Sequence, residues 1–484
     1  MKTTDKIILI SGLLFGILFY QQAAGINFFI FSLLQVVGIF FTTPKERKTR
    51  NWWLVFAGAN LSALGILMYG SLLGVWTNFI SLFVLASISI EPKSSLVITL
   101  FHNLYTVSSG VVHIMTDLVL KVMETSGWKR QSRFFKNMVI VVVSFGIAMI
   151  FVVLYRNSNV AFKDLTNRID LSFISLEWII FTMFGYYLVY LMYRPRNIAM
   201  IHSYDLEAED VLDNEKQGLT AKWLSIQSEQ TWANTLLTML NVVLLVVLGT
   251  ELTYELGLSA LNEKVGYSEN VHTGVNALIF SIILAVALIL FFFQGRLNFV
   301  KENTFLRAMA LIWVAQNVLL VMLTGYKNWI YVEEYFLTYK RIGVFIYLIC
   351  CLVGLIYTYL KVSDAKSNWY LVRRVGWTIY AVLLITPIID WDHLIINYNF
   401  SKAETKREHL DVNYLLTLPA ANYPLIFEKL EPYKDLFPEQ WQERNYYLGK
   451  LYRQANEQDW RSFNFRTFHA VHAANNNKYI SYEY

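Results

Sequence analysis

Between Ile7 and Asp390, apolar stretches follow one another with only short polar breaks. A stretch of about 20 such residues makes a helix long enough to cross a bilayer, and only lipid can solvate that many of them at once. Composition agrees. Of 484 residues, 55% are hydrophobic and 16% charged, where a soluble domain carries roughly 25% charge; the mean hydropathy is +0.39. The pattern predicts spans near 7–20, 26–42, 52–69, 71–90, 137–155, 171–193, 233–255, 273–294, 306–325, 342–361 and 375–390. The expected fold is all-α: a polytopic transmembrane helix bundle of about 11 spans over residues 1–390, with a small helical extracytoplasmic C-terminal domain over 391–484. Ile7–Tyr20 lacks a small-x-small cleavage site and runs into a second apolar stretch, so it reads as a retained span.

Orientation follows from the cations. With the N-terminus inside, the predicted inner segments hold 20 Lys and Arg and the outer loops 7. Cytoplasmic loops accumulate these residues. An odd number of spans then puts the C-terminus outside. Residues 91–126 are apolar but broken by His102, Asn103, Ser108, Ser109, Gly110, His113 and Asp117. An interfacial helix pair, a re-entrant segment or two poor spans all fit, and each keeps the parity. The inner loop 194–232 is acidic in its middle, through Asp205, Glu207, Glu209, Asp210, Asp213 and Glu215. It reads as a solvated linker or as a docking site for a basic partner.

Groups able to carry chemistry are few. Cys350 and Cys351 are adjacent within an apolar run and have no metal-type spacing. His469 and His472 lie three apart, but a zinc site needs further ligands, so surface histidines are the simpler reading and no cofactor or metal is expected. His113 and Asp117 are neighbours if their segment is helical. Asn241, Asn276, Gln316 and Asn317 lie within spans, where such side chains usually bond between helices. Asp390, Asp392 and His393 make either a small acid–base cluster or the N-cap of the next helix. No phosphate-binding glycine loop, nucleophile elbow, heptad array or nucleic-acid motif is present, which weighs against hydrolase, kinase and NTPase activities. The net charge of +5 suits inner loops and not nucleic-acid binding.

Two segments stand out. Tyr326–Arg341 carries Glu333, Glu334, Lys340 and Arg341 beside Tyr331, Tyr335 and Tyr339. It is expected to dock the tail onto the bundle, with Arg341 offering its planar fork to Asp392 or Asp411, or else to be a solvated interfacial loop. In the tail, Asp459 is expected to cap a helix, Trp460 to pack, and Arg461 to pair with a carboxylate or carbonyl; with Asn464 they would hold the domain together.

From about Gly295 onward the chain resembles a bacterial membrane-protein group called domain of unknown function, DUF4173/DUF4153. The resemblance rests on Tyr326 followed by Glu334–Arg341, where Phe336 stands at a usual glycine; on Asn397–Phe400 with Leu410–Leu415; and on Asp459–Phe465. It implies a multi-span membrane protein without an assigned activity. The function expected is a non-enzymatic component of a bacterial inner membrane, as scaffold, sensor or accessory subunit of an envelope assembly. The alternative is an envelope enzyme or transporter acting on lipid-linked or small substrates. The expected partners are the lipid bilayer and other envelope membrane proteins.

Overall fold

The computed structural model describes residues 3–124, 176–212, 223–255, 267–300 and 303–476, together with scattered positions between 144 and 162. The predicted span 137–155 and part of the acidic loop, with Asp213 and Glu215, fall outside the continuously described residues. What is described is helical. Seven helices among the described residues are long and apolar enough to cross a membrane. The chain divides into two compact units: Met1–Ser94 with Ile98–His202 and Gln458–Phe465, and Ser95–Val97 with Ser203–Glu457 and Arg466–Tyr484.

The first unit holds α1 (Thr3–Phe19), α2 (Ile26–Thr42), α3 (Arg50–Tyr69), α4 (Leu72–Ile90), most of α5 (Leu96–Glu124) and α6 (Leu176–Tyr193). Local chemistry sets the ends of several of them. Thr49 and Ser71 cap α3 and α4, accepting from the amides of Trp52 and Gly74 at 3.4 and 3.1 Å. Gly70 closes α3 with φ of 61°, a conformation that costs a residue with a Cβ.

Small residues bring α1 against α6. A Cβ on Gly16 would lie 2.0 Å from the Thr182 hydroxyl, and one on Gly185 would lie 2.2 Å from the Phe15 ring. Close backbone approach of this kind drives helix association where lipid offers no hydrophobic contrast. A polar seam joins the next three helices: the Ser32 hydroxyl donates to Asn78 at 2.6 Å, and the Asn78 amide donates to Ser62 at 3.0 Å.

The second unit holds α8 (Ile226–Glu255), α9 (Tyr267–Phe292), α10 (Thr304–Tyr335), α11 (Tyr339–Ser363) and α12 (Asn368–Ile385). The chain enters it through α7 (Ala199–Glu207). One core of this unit gathers Phe292, Phe293, Trp313, Leu355 and their neighbours. A second core contains Val332, Phe336, Leu337 and Ile342 of the α10–α11 turn together with Ile395, Phe400, Leu415, Ile426 and Leu451. The last five residues come from α13 (Trp391–Ala403), α14 (Val412–Leu416), α15 (Tyr423–Leu430) and, after the single turn α16 (Pro438–Gln442), α17 (Arg444–Asn456); α18 (Phe465–Asn476) completes the core through Ala470 and Ala474.

Far from being solvated throughout, residues 205–212 are tied to the α11–α12 turn. Arg373 pairs with Asp210 at 2.8 Å and donates to the carbonyls of Asp205 and Ala208. The Ser367 hydroxyl donates to the Glu209 carbonyl at 2.6 Å. Asp205 is fully buried and accepts the Ser95 amide at 2.6 Å. Two of the acidic side chains considered for a basic partner are thus engaged within the chain.

Candidate functional site

The α10–α11 turn gathers most of the residues singled out in the sequence. Phe336 ends α10 with φ of 64°, the region where glycine is at ease, and its ring is buried. This gives a physical reason for glycine being usual at that place in the resembling group. The turn leaves carbonyls without helical partners. Arg341 meets them: its Nη1 donates to the carbonyls of Tyr335 and Phe336, and its guanidinium lies 4.3 Å from the centre of the Tyr331 ring.

The expected fork from Arg341 to Asp392 or Asp411 is not formed. Backbone carbonyls six and five residues away hold the guanidinium instead. Asp411 caps α14, accepting the Tyr414 amide at 2.9 Å. Asp392 is buried and receives Tyr339 Oη, Asn422 at 2.9 Å and Arg466 at 2.7 Å. Lys340 is exposed. Asp390 takes the capping role, accepting the His393 amide at 3.2 Å, and also pairs with Arg466.

Helix α13 meets the turn through an amide clamp. Asn399 accepts the Leu337 amide at 2.7 Å and donates to the Leu337 carbonyl at 3.0 Å. The Tyr339 amide donates to Tyr414 Oη at 2.9 Å. One helical turn earlier, Glu333 pairs with Lys402 at 2.6 Å and accepts from Tyr398 Oη at 3.2 Å, while Glu334 pairs with Lys406. Burial, and then the Glu333 carboxylate, push the Tyr398 phenol up to about 12. The partners Tyr398, Asn399, Lys402, Asn422 and Arg466 were not singled out as site residues. The first two sit in the stretch that carries the family resemblance; no sequence signal marks Arg466, because its carboxylates lie far along the chain.

The segment 459–464 builds a separate feature inside the first unit. Ser462 Oγ accepts the Ala23 amide at 2.9 Å and donates to Gln22 at 2.8 Å, and the Phe463 carbonyl accepts the Ile26 amide at 2.7 Å. Arg461 pairs with Asp459 at 2.7 Å and donates to the Ile17 carbonyl at 2.5 Å. Asp459 thus serves Arg461, where capping was expected. Trp460 is 61% exposed and not packed as expected. Asn464 is buried. Gly25 admits this approach, since a Cβ there would lie 2.3 Å from the Phe463 carbonyl oxygen.

Other candidates are placed as follows. Asn241 bridges helices, donating to the Met309 carbonyl at 3.0 Å; Asn317 donates within its own helix. Between the same two helices, α8 and α10, Glu251 pairs with Lys327. Asp117 pairs with Arg196, and His469 and His472 are exposed. Among the described residues no group of three His, Cys, Asp or Glu is placed to hold a metal ion. An open, largely apolar cleft of about 520 Å³ lies beside Tyr20, Glu177, Ile180, Phe181 and Phe184.

Long apolar helices, small-residue packing and interhelical polar bonds define a helical membrane protein. The chain belongs to the family described as domain of unknown function DUF4153, matched over residues 9–428. The match takes in the N-terminal half and ends before Asp459. No curated protein and no solved structure matches the chain.

Proposed function

We propose that this protein is a non-enzymatic component of a bacterial inner membrane, a scaffold, sensor or accessory subunit that holds a helical tail in a fixed pose for a membrane partner. The observation that carries this reading is the shared core of the tail and the α10–α11 turn. Several carboxylates at that turn and in the tail are engaged in fixing the tail: Glu333, Glu334 and Asp392 all meet cations from α13, its C-terminal flank or α18. A reaction centre would instead leave such groups facing a substrate cleft.

The full reading includes about eleven spans, a cytoplasmic N-terminus and a periplasmic C-terminus. Contacts within each unit support this sidedness. In the first, the α1–α2 turn and Gly70 meet residues 459–464, while Asp5 meets Arg194 at 2.6 Å at the opposite end of α1. In the second, the α10–α11 turn meets the tail, and Lys361, Lys366, Arg373 and Arg374 lie around the α11–α12 turn at the other end of α11. Cations gather at the ends opposite the tail segments, as expected of cytoplasmic ends. Alkaline phosphatase fused after Tyr484 should be active and a cytoplasm-only fluorescent reporter dark.

The test of function is purification in mild detergent of wild type beside Arg466→Leu, which loosens the tail. A stoichiometric membrane partner, lost from the variant, is the expected result. A wild-type protein that purifies alone from native membranes overturns the reading.

A further inference from the structure

Residues 98–117 of α5 lie within the first unit and carry two unlike faces. Thr99, His102, Asn103 and Thr106 are buried, whereas Phe101, Leu104, Tyr105, Val111 and Val112 are exposed. Spacings of three, four and seven put these five on one stripe. The helix is therefore polar toward the protein and apolar outward. Water does not solvate such a stripe, and lipid does.

Length and composition alone admit Leu96–Ile114 as a crossing. Its contacts argue otherwise. Thr106 Oγ1 accepts the Arg196 amide at 2.9 Å, and Asp117 accepts from the Arg196 guanidinium at 2.6 Å and Tyr190 Oη at 2.7 Å. From Thr106 to Asp117 the helix advances about 16 Å. Had α5 packed lengthwise on α6, its partner by then would be near residue 185, about eleven positions back along α6. The partners instead stay within the last two turns of α6 and just past it: Tyr187 Oη donates to the Val107 carbonyl at 2.7 Å, a Cβ on Gly110 would meet the Leu191 side chain, and Asp117 meets Tyr190 and the far end of Arg196.

The α4 side agrees. The Ser87 hydroxyl donates to Asn103 at 2.6 Å. A tight antiparallel hairpin about the 91–95 connection would bring Asn103 to about residue 83, a full turn deeper. Helix α5 thus leaves α4 and crosses the end of α6 at a steep angle.

We propose that α5 lies in the membrane plane and forms a lipid-binding surface, its apolar stripe seated at the headgroup–acyl boundary of one leaflet and its polar face on the helix ends. In-plane helices bind in this way, burying one face by roughly 5–10 Å. The inference rests on the chain being a membrane protein and is independent of the tail-presenting role.

The test uses the full chain with Cys350→Ser and Cys351→Ser. Single cysteines at Lys93→Cys and Thr116→Cys, both exposed positions, are reacted with a membrane-impermeant maleimide in right-side-out and inverted vesicles. Both should label from the same face, at least about tenfold faster than from the other. Labelling from opposite faces overturns the proposal. As a second measurement, Leu104→Cys and Val112→Cys carry a fluorophore in phosphatidylethanolamine–phosphatidylglycerol liposomes with shallow or deep spin-labelled lipids. The two sites should show the same shallow quenching ratio. A depth difference of about 12 Å, the rise over eight helical residues, overturns it equally.

Discussion

Arg466 and Asp392 form an ion pair of 2.7 Å in the second unit, with the carboxylate only 1% exposed. Tyr339 and Asn422 complete the shell of Asp392. Removing one partner of a buried pair leaves the other charge uncompensated, at a cost of about 3–5 kcal/mol. Arg466→Leu should therefore lower the thermal midpoint in detergent and open residues 391–476 to protease, with the membrane helices still inserted. An unchanged midpoint would show that Asp392 is stabilised without Arg466.

Phe336 combines φ of 64° with a buried ring. Glycine would relieve backbone strain of roughly 1–3 kcal/mol. It would also empty a site in the core, where removing a phenyl group costs about 3–5 kcal/mol. Phe336→Gly should be net destabilising by about 2 kcal/mol, measured by chemical denaturation. A stabilised variant would mean that the ring contributes little to the second core.

Arg341 holds two carbonyls with one planar group. A lysine ammonium keeps the charge and loses the geometry. Arg341→Lys should speed hydrogen exchange of residues 335–341 several-fold and leave α17 unaffected. Equal exchange across the turn would assign Arg341 to the Tyr331 ring contact alone.

Gly25 faces the Phe463 carbonyl. Gly25→Ala should displace segment 459–464 and break the Ile26–Phe463 bond, an overpacking cost on the order of 1–3 kcal/mol. Selective trypsin cleavage at Arg461, with α1 and α2 retained in the membrane, is the expected readout. Persistent protection would show that the turn adjusts to a methyl group.

Tyr398 titrates at about 12 in the folded chain, raised first by burial and then by Glu333. The unfolded phenol titrates near 10. A raised pKa gives stability that is complete below pH 10 and lost as pH rises through 12. Wild type should lose more stability than Tyr398→Phe between those limits, followed by fluorescence-detected unfolding. Parallel pH profiles would contradict the assignment.

The membrane class, the helical fold and many helix ends were legible in the sequence because they depend on local patterns. A run of apolar residues commits its backbone to a helix wherever it lies in lipid. Thr49, Ser71, Ser367, Asp390 and Asp411 cap the helices that directly follow them. The stripe on α5 was equally present in the sequence. Its direction was not, since a helix of that length and hydropathy fits a crossing or a membrane surface until contacts such as Thr106 with Arg196 select one.

Pairing was decided by the tertiary structure alone. The sequence offers Arg341 several carboxylates, and nothing local says that nearby carbonyls will take it first. Arg466 meets Asp392, and Arg373 meets Asp210, only after the chain has returned from distant positions. Ser462 reaches Ala23 in the same way. Hydrophobic pattern acts over one or two helical turns, whereas a charge is settled by whichever partner the packed fold leaves within about 3 Å.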